Sequence, residues 1–542
     1  MLASSSTLNW WLYALPCATN QEWTSVSGGI PSATSWKPTS SWMVLAVVSV
    51  LSLCGVILRW ASPGGCAWGA LNKSCDIPGP RGWPVLGSLL DTGKLAHKCL
   101  AELAEQHSVA LMAFSLGNTR VIITSSPDVA RELLNSTAFA DRPAKQSAQE
   151  LLFGRAIGFA PFGDYWRGLR RIAANHLFTP RSIVEQEPIR QMNASHMLQA
   201  IYSCSRSGNC SVTVRPFFQH ASLNNIMSTV FGRIAFDQFP KEVCELQALV
   251  AEGFELLGSF NWPDHIPLLK LFDPQGVLQR CRKLVPRVNK FVQKIIDEHR
   301  QHAKFSLQQD FVDILLSLQS EDKLSDEDIT AVLWEMVFRG TDTVAILTEW
   351  ILAELVIHPS VQERLHSELD EVVGRAMYVA EADVARMPYL QAVVKETLRL
   401  HPPGPLLSWA RLARHDVSFA GHHIPSGTTA MVNMWAITHN ESIWADAMSF
   451  KPERFMPSDG GLDIDIRGND LRLAPFGAGR RVCPGRALGL ATVHLWIARL
   501  VHHFQWLPDP CHPVDLSEVL KLSCEMVSCL SARPLPRLSL PL

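Results

Sequence analysis

The sequence carries almost no net charge, because 49 Lys and Arg residues face 51 Asp and Glu residues among its 542 positions. Proteins that concentrate on nucleic acid need an excess of basic residues. The near balance therefore argues against a nucleic-acid partner. At this length, a hydrophobic content of 47% suffices for one large domain or two ordinary ones.

Two further patterns are missing. The 13 cysteines lack the short paired spacings of zinc sites and of secreted disulfide frameworks, which indicates a reducing compartment for most of the chain. The sequence also has no Gly-x-Gly-x-x-Gly fingerprint of a dinucleotide-binding fold. Electrons from a nicotinamide cofactor would therefore have to arrive through another protein.

A long uncharged apolar run is present at residues 42–58. It has about the minimum length for crossing a bilayer, with Trp42 and Trp60 placed as interfacial anchors. Because it follows no strongly basic leader, we expect a retained single-pass anchor rather than a cleaved signal peptide. Basic residues are denser after the run than before it, which places the main body in the cytosol.

The rest of the chain shows helical periodicity with few strands, which predicts a mainly α fold with small β-sheets (α+β). Runs at 110–116 and 120–124 predict a hairpin. Ser325 and Asp328 form a capping box, and no proline follows before Pro359, so this helix holds about 32 residues and spans roughly 48 Å. The predicted segments are 1–41 (lumenal, disordered), 42–58 (transmembrane anchor), 59–76 (linker) and 77–542 (catalytic domain, with a Pro-rich neck at 77–84).

The most specific pattern is the string PFGAGRRVCPG at residues 475–485, which precedes a predicted apolar helix at 486–501. A thiolate stays ionised when N–H donors and a helix N-terminus lie near it, and this string supplies both. The alternative is a structural cysteine in a glycine turn, which is the usual role of a single Cys. The length of the pattern favours a metal-bound sulfur at Cys483.

This string resembles the cysteine loop of the cytochrome P-450 superfamily, Phe-x-x-Gly-x-Arg-x-Cys-x-Gly, through Phe476, Gly479, Arg481, Cys483 and Gly485. The resemblance implies the cytochrome P-450 fold, with a long central helix over haem b (iron protoporphyrin IX). It implies that Cys483 is the proximal iron ligand, that Phe476 belongs to the cofactor loop, and that Arg481 contacts a haem propionate.

The resemblance also assigns an ionic triad and further propionate contacts. Glu396 and Arg399 stand three apart on one helical face, and Arg454 is the third triad member. A surface pair would be the simpler interpretation of the first two alone. Trp166 and Arg170 match the superfamily's Trp-x-x-x-Arg helix, whose two residues contact a propionate. Another propionate arginine corresponds, by a looser alignment, to Arg411.

The oxygen-handling motif is expected on the long helix, where residues 339–343 read RGTDT. A helical Thr can bond back to the carbonyl four residues earlier and open a polar pocket. By resemblance, Thr343 and Asp342 deliver protons at the oxygen site. The superfamily usually has Ala or Gly at the position of Arg339. We therefore expect this guanidinium either to pair with an anionic substrate group, or to turn aside to a partner such as Glu335.

Other strings resemble plant microsomal members, and most closely the KLUH and plastochron type: 139–143 (FADRP), 158–167 (GFAPFGDYWR) and 338–343 (FRGTDT). This type implies an enzyme of the endoplasmic reticulum membrane, with its catalytic domain in the cytosol, that affects organ growth. Fatty-acid hydroxylation is the chemistry that it implies.

The expected function is a monooxygenase that inserts one oxygen atom from O2 into an apolar small molecule. NADPH electrons would arrive through a separate flavoprotein reductase, for which Arg167, Arg171, Arg480 and Arg486 are candidate docking residues. Two alternatives are a haem-thiolate isomerase or dehydratase of lipid peroxides and a non-enzymatic haem sensor or carrier. The oxygen-motif threonine argues against the first, and a proton path argues against the second.

Overall fold

The computed structural model describes residues 40–69, 76–206, 211–232, 240–302, 310–319, 322–375, 378–407 and 410–538. The described chain divides into two units, with the boundary between Leu53 and Cys54. The described α-helices are α1 (Ser40–Trp60), α2 (Ala96–Gln106), α3 (Pro127–Asn135), α4 (Gln146–Glu150), α5 (Asp164–His176), α6 (Pro180–Glu185), α7 (Glu187–Arg206), α8 (Arg215–Phe231), α9 (Pro240–Gly258), α10 (Trp262–His265), α11 (Val277–His302), α12 (Phe311–Ser317), α13 (Asp326–Ile357), α14 (Pro359–Val372), α15 (Pro388–Leu400), α16 (Met434–Thr438) and α17 (Arg486–His503).

The predicted anchor lies in α1. The segment Met43–Trp60 is long and apolar enough to cross a membrane, and most of its large side chains are exposed. The predicted disordered segment 1–41 falls almost wholly outside the described residues, and only its last two residues belong to α1.

The predicted linker, 59–76, packs against the body in the part that the structure describes. Trp68 is buried, and its indole N–H donates to the Phe114 carbonyl at 3.0 Å. The Ala67 N–H donates to the Ser115 hydroxyl at 3.0 Å. The folded body therefore begins before Ile77, because a buried Trp fixes the chain to the first strand.

The described strands are β1 (Leu111–Leu116), β2 (Thr119–Thr124), β3 (Val212–Thr213), β4 (Arg411–Leu412), β5 (Val417–Phe419), β6 (His422–Ile424), β7 (Thr429–Val432), β8 (Phe504–Pro508), β9 (Glu518–Leu520), β10 (Cys524–Met526) and β11 (Ser531–Pro536). The largest sheet has the order β1-β2-β7-β4. Its β1–β2 hairpin is antiparallel with Leu111 opposite Thr124, whereas β2 and β7 run parallel. The predicted hairpin and the mainly α class with small sheets are both confirmed.

The long helix α13 has 32 residues, and its N-terminal capping box is formed by Ser325 and Asp328 as predicted. Its first half, which includes the buried Trp334, packs with α9 and α11 in one hydrophobic cluster. Its second half, which includes the buried Trp350, packs with α15 and α17 in another. Between these halves, Gly340 and Thr343 face a cavity. The helix thus crosses the domain and presents its middle turn to the site.

Candidate functional site

One cavity brings together the middle of α13, the start of α17 and the cysteine loop. Cys483 lies in its lining together with Phe476 from the same loop, and Thr343 lies in the lining from α13. Most of the other lining side chains are aliphatic, among them Leu347 and Val432. The cavity therefore combines a thiol, a hydroxyl and apolar walls.

The cysteine loop holds the Cys483 sulfur at the N-terminus of α17. The Cys483 N–H donates to the Phe476 carbonyl at 3.0 Å. Burial raises the pKa of the thiol, while a hydrogen bond from the Gly485 N–H and the charge of Arg170 oppose that rise. Gly479 has φ +63°, and a Cβ there would lie 2.2 Å from the Leu134 carbonyl oxygen. Only glycine allows this approach of the loop to α3.

Besides Arg339 on α13, four arginine side chains line the cavity: Arg142, Arg170, Arg411 and Arg481. Burial, and then the charges of Arg481 and Arg170, lower the pKa of Arg411 to about 9. Burial likewise lowers the pKa of Arg481 to about 10. The Arg411 Nη2 donates to the Ala478 carbonyl at 3.2 Å, and its buried Nη1 has no acceptor among the described residues.

Such a set of buried and half-buried cations is stabilised by anions placed next to it. A soft sulfur ligand, apolar walls and several arginines suit a flat apolar macrocycle that carries two carboxylates. The residues present therefore fit the haem that the motifs imply.

The other predicted propionate contacts are bonded to protein groups. Arg170 Nη1 donates to the Val482 carbonyl at 2.9 Å. Arg481 lies over the Trp166 ring, with its Cζ 4.2 Å from the ring centroid. The Trp166 indole N–H donates to the Ile157 carbonyl at 2.9 Å. The guanidinium of Arg481 donates to three main-chain carbonyls, those of Ala140 at 2.9 Å, Ile157 at 3.2 Å and Ala160 at 2.6 Å.

Arg142 belongs to this cluster but was not predicted from the sequence as a site residue. Its Nε donates to the Gly158 carbonyl and its Nη1 to the Ala410 carbonyl, both at 3.2 Å. Burial and the charges of Arg411 and Arg481 lower its pKa well below the usual value. In the sequence, Arg142 was noted only as part of the FADRP string. That string indicated the type of family member but not that Arg142 lies in the cavity.

The predicted ionic triad is brought together. Arg399 Nε and Nη2 each lie 2.8 Å from an oxygen of Glu396, and both side chains are fully buried. Arg454 Nε lies 3.2 Å from Glu396 Oε1. Arg399 Nη1 also donates to the carbonyls of Thr438 at 2.8 Å and Ala447 at 2.6 Å. The triad therefore fastens α15 to the segment that precedes the cysteine loop.

Thr343 and Asp342 have different surroundings. The Thr343 hydroxyl lies 3.5 Å from the Arg339 carbonyl, at the outer limit of the predicted back-bond. Asp342 is absent from the cavity lining among the described residues. Burial and the charge of Glu525 raise the pKa of the Asp342 carboxyl to about 6, which Lys521 and a hydrogen bond from Gln219 oppose.

This raised pKa predicts a pH-dependent effect of Asp342→Asn. Because the pKa rises from 3.8 to about 6 on folding, the wild type loses stability as pH increases through this range, up to about 3 kcal/mol. The variant lacks this penalty. We expect its advantage in thermal unfolding midpoint to grow from pH 5 to pH 7 and then level off. An advantage that shrinks with rising pH would contradict the assignment.

Arg339 pairs with Glu335, which was one of the two expectations from the sequence. Its Nε lies 2.9 Å from Glu335 Oε1. It has not turned away from the cavity, however, because Arg339 is one of the lining residues. Its Cζ lies 5.5 Å from the centroid of the Phe159 ring. The side chain therefore forms an internal ion pair and part of the cavity wall.

Comparison with known proteins places these features in one family. The family model for cytochrome P450 matches residues 77–526. Cytochrome P450 78A9 of Arabidopsis thaliana is 54% identical over 505 residues, covering 91% of this chain and 94% of the relative. Cytochrome P450 78A11 of Oryza sativa subsp. japonica is 52% identical over 549 residues, with coverages of 97% and 96%. Cytochrome P450 78A1 of Zea mays is 51% identical over 556 residues, covering 97% of each.

Proposed function

The chain belongs to the cytochrome P450 family and is a haem monooxygenase, and we propose that it inserts one oxygen atom from O2 into an apolar, fatty-acid-like molecule. The plant relatives confirm the resemblance to the KLUH and plastochron type. The observation that carries the proposal is the cavity in which Cys483 and Thr343 meet apolar walls. A role in plant organ growth is part of the same proposal.

Haem on a Cys thiolate supplies oxygen activation, because the thiolate donates electron density that favours O–O cleavage. Cys483 is the proposed ligand. Arg142, Arg170 and Arg411 are proposed to hold the two carboxylates, and Arg411 offers a donor that no described protein group satisfies. Arg481, supported on Trp166, completes this cationic wall.

Thr343 and Asp342 are proposed to move protons to the oxygen site. Thr343 lines the cavity one residue after Asp342, and the carboxyl pKa of Asp342 is influenced by the neighbouring Gln219 and Lys521. A carboxyl with a pKa of about 6 can both accept and release a proton near neutral pH. In this proposal, Asp342 and Thr343 connect the cavity with the polar groups near Asp342, which are Gln219 and Lys521.

Replacing Thr343 by alanine is expected to keep the haem but uncouple turnover, because oxygen would react without ordered proton delivery. Product formed per NADPH consumed should fall by about tenfold or more, because positioned acid–base groups typically contribute about 10² to 10⁴-fold to a rate. The matched control is Thr348→Ala, which removes a hydroxyl bonded within the same helix to the Val344 carbonyl at 2.8 Å. Equal coupling in Thr343→Ala and wild type would rule out the proposed role.

Electrons are proposed to come from NADPH through a separate flavoprotein reductase. Arg480 is exposed in the cysteine loop, and Arg167 and Arg171 are exposed on α5. Arg167 pairs with Asp164, and Arg171 pairs with Asp322 at 2.5 Å. Neighbouring acids thus partly neutralise Arg167 and Arg171, which leaves Arg480 and the half-buried Arg486 as the proposed principal contacts for an acidic partner.

The proposed location is the endoplasmic reticulum membrane, with the catalytic domain in the cytosol. Besides the candidate span in α1, an apolar surface supports membrane contact. Leu268, Leu271 and Phe272 are 79%, 85% and 74% exposed in the segment between α10 and α11. Exposed apolar clusters of this kind are rare on water-facing surfaces and mark interaction sites.

A reconstitution experiment tests the proposed substrate class. Full-length protein, a plant NADPH-dependent reductase and saturated fatty acids of graded chain length should give hydroxylated acids only when NADPH is present. Heat-inactivated reductase is the control. If a haem-loaded preparation consumes NADPH yet converts none of the acids, the fatty-acid-like class is wrong. The isomerase alternative predicts product from lipid hydroperoxides without any reductase.

A further inference from the structure

The Ile157–Gly158 backbone forms part of the cavity wall and is bonded from two sides. On one side, the Gly158 N–H lies 2.8 Å and 3.1 Å from the two carboxylate oxygens of Glu335. On the other side, the Gly158 carbonyl accepts from Arg142 and the Ile157 carbonyl accepts from Arg481. The dipeptide therefore joins α13 to the arginine cluster.

Arg339 completes this connection. Glu335 is 1% exposed, and its charge requires compensation at close range. Arg339 supplies it through Nε at 2.9 Å, while its own side chain stays 33% exposed and lines the cavity. Because Arg339 stands four residues before Thr343, the ion pair lies about one helical turn from the hydroxyl.

Gly158 makes this approach possible. A Cβ at this position would lie 2.3 Å from Arg339 Nη2 and 2.4 Å from Glu335 Oε1. Both distances are far shorter than a van der Waals contact, so any larger residue must displace the ion pair or the backbone. The ion pair can occupy this position because residue 158 has no side chain.

We propose that Glu335, Arg339 and Gly158 form a latch that fixes the cavity wall beside Thr343 and limits the size of ligand that fits there. Glu335 is a positioning residue, which acts through Arg339 and the Ile157–Gly158 backbone. Arg339 is a specificity-determining residue of the wall. The inference rests on the haem site proposed above, and it adds a determinant of which apolar molecules enter that site.

Hydrogen–deuterium exchange tests the latch directly. In full-length haem-loaded protein, Glu335→Gln should speed amide exchange in the peptide covering residues 151–163 by about tenfold or more, since a bond to a charged acceptor is lost. Gly158→Ala should do the same by displacing the ion pair. Arg181→Ala is the control, because it removes a solvent-exposed Arg–Glu pair on α6 and should leave this peptide unchanged.

Ligand size provides the second measurement. Imidazole and 4-phenylimidazole both bind haem iron and shift its absorption spectrum. In Glu335→Gln and in Arg339→Leu, the Kd of 4-phenylimidazole relative to that of imidazole should fall by about threefold or more, because the wall yields. Arg339→Lys keeps the positive charge but loses the planar guanidinium. Its Kd ratio should therefore lie between those of wild type and Arg339→Leu.

The carbon monoxide spectrum of each reduced variant distinguishes failure of the proposed haem site from failure of the proposed latch. If the spectrum of the wild-type protein shows no thiolate band, the proposed haem site is wrong. If Glu335→Gln keeps that band, but either its exchange rate or its Kd ratio equals that of wild type, the latch is overturned. If Gly158→Ala fails to fold, the milder Arg339→Lys variant replaces it, and its amide exchange and Kd ratio are compared with those of wild type.

Discussion

Cys483→Ala is expected to abolish the thiolate signature in the carbon monoxide spectrum of the reduced protein. Alanine has no donor atom for iron, and no other thiol lies in the described lining of the cavity. Without the thiolate, the electron donation that favours O–O cleavage is lost, so we expect monooxygenase turnover to fall to the background rate. The measurements are the reduced carbonyl spectrum and NADPH-dependent product formation.

Cys281→Ala is the matched control for this prediction. Cys281 is buried like a core residue, on α11 and away from the cavity. Its replacement should leave the spectrum unchanged and cost only the stability lost with a small apolar group. A thiolate band that persists in Cys483→Ala would show that another residue is the ligand.

Glu396→Ala is the second prediction with a large expected effect. It leaves Arg399 fully buried without its bidentate partner and removes the carboxylate partner of Arg454. Breaking a buried pair by removing one partner costs about 3 to 5 kcal/mol, a large part of the stability of an ordinary domain. We expect lower yields of haem-loaded protein and a lower urea midpoint for loss of its Soret absorption.

Glu185→Ala provides the comparison for the triad. It breaks the exposed pair with Arg181, which lies at 2.8 Å with both side chains largely in solvent. Exposed pairs of this kind contribute about 0 to 1 kcal/mol. Similar urea midpoints for Glu185→Ala and Glu396→Ala would mean that the triad does not hold α15 to the rest of the domain.

Local patterns predicted the elements that frame the site. The capping box at Ser325 and the absence of proline before Pro359 gave the bounds of α13, because caps and breaks act within a few residues. The glycine-rich string around Cys483 predicted a loop followed by α17 in the same way. The triad arrangement followed from resemblance, and the structure brings its members together.

Long-range contacts could not be predicted from one sequence. Arg142 joins the cavity because its guanidinium bonds to the Ala410 carbonyl, 268 positions along the chain, as well as to the nearer Gly158 carbonyl. The carbonyls that bind Arg481 belong to residues more than three hundred positions away. The buried Trp68 shows the same limit, since periodicity did not predict that the linker packs on β1.

The two expectations for Arg339 also needed tertiary structure. Its spacing from Glu335 allowed an ion pair on one helix face. The sequence did not reveal that the Gly158 N–H shares that carboxylate, or that the pair would remain in the wall of the cavity. An arginine at a position usually held by a small residue thus forms part of the boundary of the site.

Isotope incorporation tests the central claim most directly. With ¹⁸O2, NADPH and reductase, the hydroxylated product should carry one labelled oxygen atom, and Cys483→Ala should yield none. Product that carries no label, or labelled product that forms equally in Cys483→Ala, would contradict the claim that this cavity inserts oxygen from O2 at a Cys483-bound haem.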